Sequence, residues 1–183
     1  MNIIIVGDGK VGSALAEHLS QEEHDVVIVD NNDEPLHRAS NTLDVLCVKG
    51  NGSSVSVMRK AGAATADLVV AATSTDELNM VCCRNAKNLG AKYTIARIRG
   101  VEYIADIDTL RQNMGIDMVI NPEYATAVEI SRLLRFPPAA NIDTFFRGRV
   151  ELVGFLLHEG DHPHGPRSLN DLHKLLSDSA ASA

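Results

Sequence analysis

Short apolar runs recur at 3–6, 26–29, 45–48, 68–72, 93–98 and 118–120, and each is followed by a stretch with apolar residues at helical spacing. After the first run Val11, Leu15 and Leu19 fall four residues apart; after the fourth, Leu78, Val81, Cys82, Asn85 and Leu89 do much the same. Apolar runs alternating with amphipathic helices predict right-handed strand-helix-strand crossovers and a parallel sheet. The first 136 residues are therefore expected to form an α/β domain, a Rossmann-like doubly wound parallel sheet.

The pattern changes near residue 123. Segment 123–135 has helical spacing, but Tyr124, Ala125, Ala127, Val128, Ile130, Leu133 and Leu134 spread beyond one stripe. Either the helix is buried within its own domain, or it touches more than its own sheet. Pro137-Pro138 forbids its continuation and marks a boundary. Beyond it, 142–146 and 150–157 are strand-like around Arg147-Gly148-Arg149, which predicts a hairpin. A loop is expected at 160–166, a short helix capped by Ser168 and running to Leu176, and a frayed tail at 177–183. One hairpin and one helix make a poor independent core. Residues 139–183 are thus expected to be a partial second α+β lobe, and the chain a fragment of something longer.

Composition narrows the function. With 183 residues, 45% of them hydrophobic, the chain can bury one full core; at 4% aromatics and no tryptophan, that core must be aliphatic. A formal net charge of −7 and the lack of a dense Lys/Arg run argue against nucleic acid as a partner. Cys47, Cys82 and Cys83 have neither disulfide-framework nor zinc-ligand spacing, so a reducing compartment and no metal are expected, with Cys82-Cys83 packed in a core. The opening residues carry no basic leader, and no apolar run approaches the roughly 18 residues of a spanning helix. The expectation is a chain soluble by itself.

The candidate chemistry lies between the first strand and helix, where Gly7-Asp8-Gly9-Lys10-Val11-Gly12 forms a GxGxxG turn. Gly7 permits the turn, Gly9 lets the backbone approach a pyrophosphate, and Gly12 lets the helix pack on the strand, while amides at the helix start face the phosphates. Asp30 closes the second strand 18 residues after Gly12, with Asn31 beside it, where a carboxylate accepts hydrogen bonds from adenosine ribose hydroxyls. Its alternative role is to cap the following turn. A 2′-phosphate would meet this carboxylate badly, which favours NAD(H) or an adenosine nucleotide over NADP. Asn51-Gly52-Ser53 and Thr73-Ser74 follow the third and fourth strands and are expected on the same carboxyl edge. Their alternative is helix capping, since Ser74 or Thr75 precedes Asp76-Glu77. Arg97, ending the fifth strand, and Lys10 are candidate polyphosphate cations or else surface ion pairs. His162-Pro163-His164 lacks an acidic or cysteine partner nearby and is expected in a solvated loop.

In order and spacing, several segments resemble the TrkA-type regulators of potassium uptake, the RCK or KTN domains. They are the first strand and glycine turn through Gly12, Val29-Asp30, Gly50-Asn51-Gly52-Ser53, Ala71-Ala72-Thr73-Ser74-Thr75-Asp76-Glu77-Leu78-Asn79, Ala96-Arg97 and Ile120-Asn121-Pro122-Glu123. The match covers about 1–140, and the tail from Asn141 is similar to the start of that family's smaller C-terminal lobe, with Pro166-Arg167-Ser168-Leu169-Asn170-Asp171-Leu172 matching its first helix. The resemblance implies a peripheral cytosolic subunit that assembles as dimers and rings beneath a membrane potassium transporter, where nucleotide occupancy alters ion flux. It also implies NAD(H), ATP or ADP bound at the positions of Gly7 to Val11, Asp30, Asn51, Thr73, Ser74 and Arg97, with 123–135 as a helix crossing between paired lobes. Complete relatives carry two such halves; this chain has one. The rival reading is the cofactor domain of an NAD-dependent dehydrogenase. That chemistry needs a substrate domain and a proton-shuttling side chain, and the sequence offers no candidate for either. No catalytic residue is expected.

Overall fold

Each apolar run becomes a strand. The computed structural model describes residues 1–135, 139–145 and 150–155. Its first strands and helices are β1 (Asn2–Val6), α1 (Lys10–Gln21), β2 (Asp25–Asp30), α2 (Asp33–Thr42), β3 (Leu46–Lys49) and α3 (Val55–Lys60). After a helical turn at Ala63–Thr65 come β4 (Leu68–Ala71), α4 (Asp76–Leu89), β5 (Tyr93–Arg97), α5 (Val101–Ile104), α6 (Ile107–Met114), β6 (Met118–Ile120) and α7 (Pro122–Arg135). The hairpin strands are β7 (Ala139–Phe145) and β8 (Val150–Phe155). Among the described residues, six parallel strands lie in the order β3-β2-β1-β4-β5-β6, a Rossmann-like doubly wound sheet. The chain enters at the centre and winds outward both ways, so the winding direction reverses between β1 and β4.

Alternation along β1 explains the two-sided core. Ile3 and Ile5 face one layer with Val26, Ile28, Ala16, Leu36 and Ala39, under α1 and α2. Ile4 and Val6 face the other with Val29, Met58, Val69, Met80, Cys82 and Cys83, under α3 and α4. A strand covered on both faces has no polar position, so it reads as an unbroken apolar run. Cys82 and Cys83 are fully buried, and burial pushes both thiols up to about 12. They are packing residues.

Register places the strand ends level. Val6 pairs with Val29 on one side and Ala71 on the other, and beyond these pairs Gly7 N donates to Val29 O, Ala72 N to Val6 O and Gly50 N to Asp30 O, each at 2.8 Å. The loops after β1, β2, β3 and β4 therefore leave the sheet side by side. Boundaries of the sheet strands shift by at most a residue at either end; the third lies at Leu46–Lys49 rather than 45–48, because its ladder with β2 begins at the Val27–Leu46 pair.

The chain divides into two compact units, Met1–Glu123 and Tyr124–Ala183. In the second, β7 and β8 pair antiparallel with Phe145 opposite Val150, so the predicted hairpin forms, its first strand starting at Ala139 rather than 142. Pro137-Pro138, Arg147-Gly148-Arg149, the His162-Pro163-His164 loop, the helix from Ser168 and the tail at 177–183 lie outside the described residues. Along α7, Tyr124, Ile130, Leu133 and Leu134 are exposed. Among the described residues no helix is long and apolar enough to cross a membrane, and no group of His, Cys, Asp and Glu is placed to hold a metal.

Candidate functional site

A cleft of about 440 Å³ opens where the winding reverses, at the carboxyl edge of the sheet. Ligands of open α/β folds sit in this position. Of the residues singled out from the sequence, Gly7, Gly9, Lys10, Val11, Asp30, Asn31, Asn51, Gly52, Thr73, Ser74 and Arg97 line it. Asp8, Gly12 and Ser53 do not. Its floor is apolar, from Val6, Val29, Ala72 and Leu78, residues that sequence reasoning assigned only to strands and a helix.

The glycine turn is explained residue by residue, with one exception. Gly7 has φ of +97°, and a Cβ there would lie 2.9 Å from Thr73 Cα and N. At Gly12 a Cβ would lie 1.8 Å from Gly7 O, so the glycine lets α1 close on the turn; it supports the cleft without lining it. Gly52 fits against the apolar floor, since a Cβ would lie 2.2 Å from Val6 Cγ1. Gly9 differs. Its φ of −79° suits any residue, and a Cβ there would meet nothing within 4 Å. The fold has no use for a glycine at Gly9, but a ligand laid against that backbone would.

Both oxygens of Asp30 bond to backbone amides: Oδ2 accepts from Asp8 N at 2.7 Å and Oδ1 from Asn32 N at 2.8 Å. Capping the following turn and facing the cleft are thus not alternatives, since each carboxylate oxygen has a second lone pair. Ser53 instead braces Asn51, donating from N at 2.9 Å and from Oγ at 2.8 Å to Asn51 Oδ1.

At the other end of the cleft, the alternative of side-chain capping for α4 does not hold. Thr75 occupies the N-cap position, but neither it nor Ser74 makes a side-chain cap. Thr73 Oγ1 turns inward to Asn79 Oδ1 at 2.7 Å, and the first turn of α4 is used to fasten two strands. Asn79 is fully buried. It accepts from Thr73 N at 2.8 Å and donates Nδ2 to Arg97 O at 2.8 Å, tying the tip of β4 to that of β5. Asp76 Oδ2 accepts from Arg99 N at 2.8 Å and Gly100 N at 2.7 Å, fixing the exit of β5. The Arg99 guanidinium returns to Ser74 O. Asn79 and Asp76 are positioning residues that sequence reasoning missed; the available signal was the presence of two such side chains three residues apart at a helix start.

The Arg97 side chain is only 13% exposed, lines the cleft and is paired with Glu123 at the start of α7. Its Nε is buried without a hydrogen-bond partner. Partial burial raises the Glu123 carboxyl, but the Arg97 bond, the helix-start amide and the Arg97 and Arg99 charges outweigh it and hold the group below the usual carboxylate range. Lys10 is exposed at the opposite rim. The cleft therefore carries a carboxylate at the β2 end and a guanidinium at the β5 end.

Comparison with known proteins adds a family to this geometry. The family model described as the TrkA-N domain matches residues 3–122. The chain is similar to the Trk system potassium uptake protein TrkA of Haemophilus influenzae, 43% identical over 156 residues, which cover 84% of this chain and 34% of that protein. It thus spans about a third of that relative's length. Among solved structures, the TrkA-N domain of the inner membrane protein YbaL from Escherichia coli superposes with a TM-score of 0.65 at 21% identity, covering 73% of this chain and 96% of that one. The GsuK channel bound to NAD gives a TM-score of 0.61 at 18% identity, covering 79% and 25%, and GsuK bound to ADP gives 0.61 at 24%, covering 74% and 34%. At these identities the structural likeness establishes the fold.

Proposed function

This chain belongs to the TrkA-N family, and on that premise we propose that it is the nucleotide-sensing part of a cytosolic regulatory subunit of a membrane potassium uptake system. The ligand is NAD(H), ATP or ADP, and its occupancy of the cleft controls potassium transport by a transporter partner at the inner face of the cell membrane. The observation that carries the nucleotide is Gly9, a glycine with ordinary backbone angles and open space at its Cβ, at the point where a pyrophosphate would lie. Asp30 receives the ribose hydroxyls. Arg97, and with it Lys10, faces the terminal phosphates, where ATP, ADP and the dinucleotides differ in charge. The exposed Ile130, Leu133 and Leu134 of α7 support self-association, since a monomer rarely leaves such an apolar face to solvent.

Calorimetric titration of the wild-type chain with ATP, ADP, NAD and NADH tests the reading, alongside Gly9→Ala, Asp30→Ala and Arg97→Ala. Gly9→Ala leaves the melting temperature of the free protein unchanged and abolishes binding. Asp30→Ala weakens every adenine nucleotide alike, by about tenfold or more, as expected for loss of a hydrogen bond to a charged group. Arg97→Ala changes the ATP to NADH affinity ratio, because a ligand shifts a conformational equilibrium only by its differential affinity for the two states. Failure of all four nucleotides to bind at millimolar concentration overturns the proposal. Sedimentation showing only monomer at micromolar concentration overturns its oligomeric part. Potassium flux through the reconstituted transporter, responsive to nucleotide with wild type and not with Gly9→Ala, tests the regulatory part.

A further inference from the structure

Two signals around the ribose end conflict. Asp30 closes β2 in the manner of a group that accepts a 2′-hydroxyl, but Arg38, on the neighbouring helix α2, is the kind of cation that accommodates a 2′-phosphate in this fold. Residue types alone leave both open, and the geometry separates them. A hollow of about 430 Å³ lies on the outer flank of the glycine turn, lined by Asp8, Ser13, Glu17 and Arg38, and it shares Gly9 and Lys10 with the main cleft. The cleft therefore adjoins, along Gly9 and Lys10, a second space that contains two cations, Lys10 and Arg38, and two carboxylates, Asp8 and Glu17.

Asp8 is the unusual member. It is 4% exposed, it belongs to no strand or helix, and its backbone amide is bonded to Asp30 Oδ2 at 2.7 Å. Its Oδ1 is buried and makes no hydrogen bond. A carboxylate oxygen without a partner in a buried position weakens the fold, so the turn's own hydrogen bonding does not account for it. Its charge acts on two neighbours, the Asp30 carboxylate and the Arg38 guanidinium. A ligand hydroxyl bonded to Asp30 Oδ2 would share that oxygen with the Asp8 amide.

We propose that Asp8 is a specificity-determining residue of the nucleotide cleft: it rejects a ribose 2′-phosphate by setting a second carboxylate beside Asp30 and by neutralising Arg38, the cation that would otherwise receive that phosphate. Asp30 by itself accepts the 2′-hydroxyl and disfavours a 2′-phosphate; Asp8 makes the refusal strong. The flank hollow is thus a 2′-phosphate subsite held closed by charge. This rests on the reading that the main cleft takes an adenine nucleotide.

NADH and NADPH, which differ at the 2′ position alone, are titrated into the wild-type chain, Asp8→Ser, Arg38→Ala and the double variant. Asp8→Ser tightens NADPH by about tenfold or more, the scale on which removing a like-charge contact acts, and leaves NADH within about twofold. Removing Arg38 as well takes back the part of the gain that the freed guanidinium supplies. Thermal melts of the free variants verify that each is folded. An NADPH to NADH ratio unchanged by Asp8→Ser overturns the inference, as does a double variant that keeps the whole of the gain. Wild-type protein that binds neither dinucleotide nor ADP overturns the nucleotide reading itself, a result distinguishable from an unchanged ratio.

Discussion

The two ends of the cleft are built by different means. At the β1–β2 end the backbone forms the site: Gly7 turns in a left-handed conformation, Gly12 lets α1 approach, and the Asp30 carboxylate gathers the amides of Asp8 and Asn32. At the β4–β5 end, side chains from another element form it. Asn79 and Asp76, from the first turn of α4, hold Thr73, Arg97, Arg99 and Gly100 in place. The first construction is local and rigid because main-chain atoms cannot move aside. The second spans 18 residues between Asn79 and Arg97, and it can be retuned by changing one side chain. On the proposed nucleotide-sensing function, this division would set a fixed adenosine anchor at one end and an adjustable charge reader at the other.

The comparison breaks most readily at Gly12. Gly12→Ala puts a methyl 1.8 Å from a main-chain oxygen that cannot yield, and the expected loss is about 3 kcal/mol or more, read as the urea midpoint. Gly9→Ala, three residues away, is expected to stay within about 0.5 kcal/mol of wild type. Equal losses at the two positions would mean that the turn is not the rigid end. Next in size is Asn79→Ala, which strands the buried Thr73 amide and Arg97 carbonyl. A loss of about 2 to 3 kcal/mol is expected in the same assay. If Asn79→Ala melts like wild type, α4 does not set the far end.

The smallest effect concerns Asp8. Burial, with the Asp30 carboxylate beside it and the Arg38 charge opposing, raises its pKa above the ordinary aspartate range. A carboxyl raised in the folded state favours folding when protonated, and this contribution is lost as pH rises from the unfolded value through the folded one. Asp8→Asn is therefore expected to stabilise the chain at neutral pH by about 1 kcal/mol. The gain should shrink as pH falls through the raised pKa. A melting difference between wild type and Asp8→Asn that is flat with pH would show that Asp8 is solvated rather than buried at the rigid end.

What the sequence by itself determined is whatever depends on near neighbours along the chain. The buried strands were legible because a strand covered on both faces must be apolar throughout, and the glycine turn because steric limits at Gly7 and Gly12 act within a few residues. Asp30 was legible because strand length fixes its distance from the turn. Asn79 and Asp76 were not, since polar residues at a helix start ordinarily cap that helix, and only the packing of α4 across the tips of β4 and β5 turns them toward Thr73, Arg99 and Gly100. Arg97 could be placed at a strand end from sequence, but its pairing with Glu123 required β6 to lie beside β5. Asp8 looked like one more residue of the turn until folding buried it against Asp30 and brought Arg38 near. Local sterics are written in spacing, whereas the environment of a charge is decided by which distant groups the fold brings within a few ångströms of it.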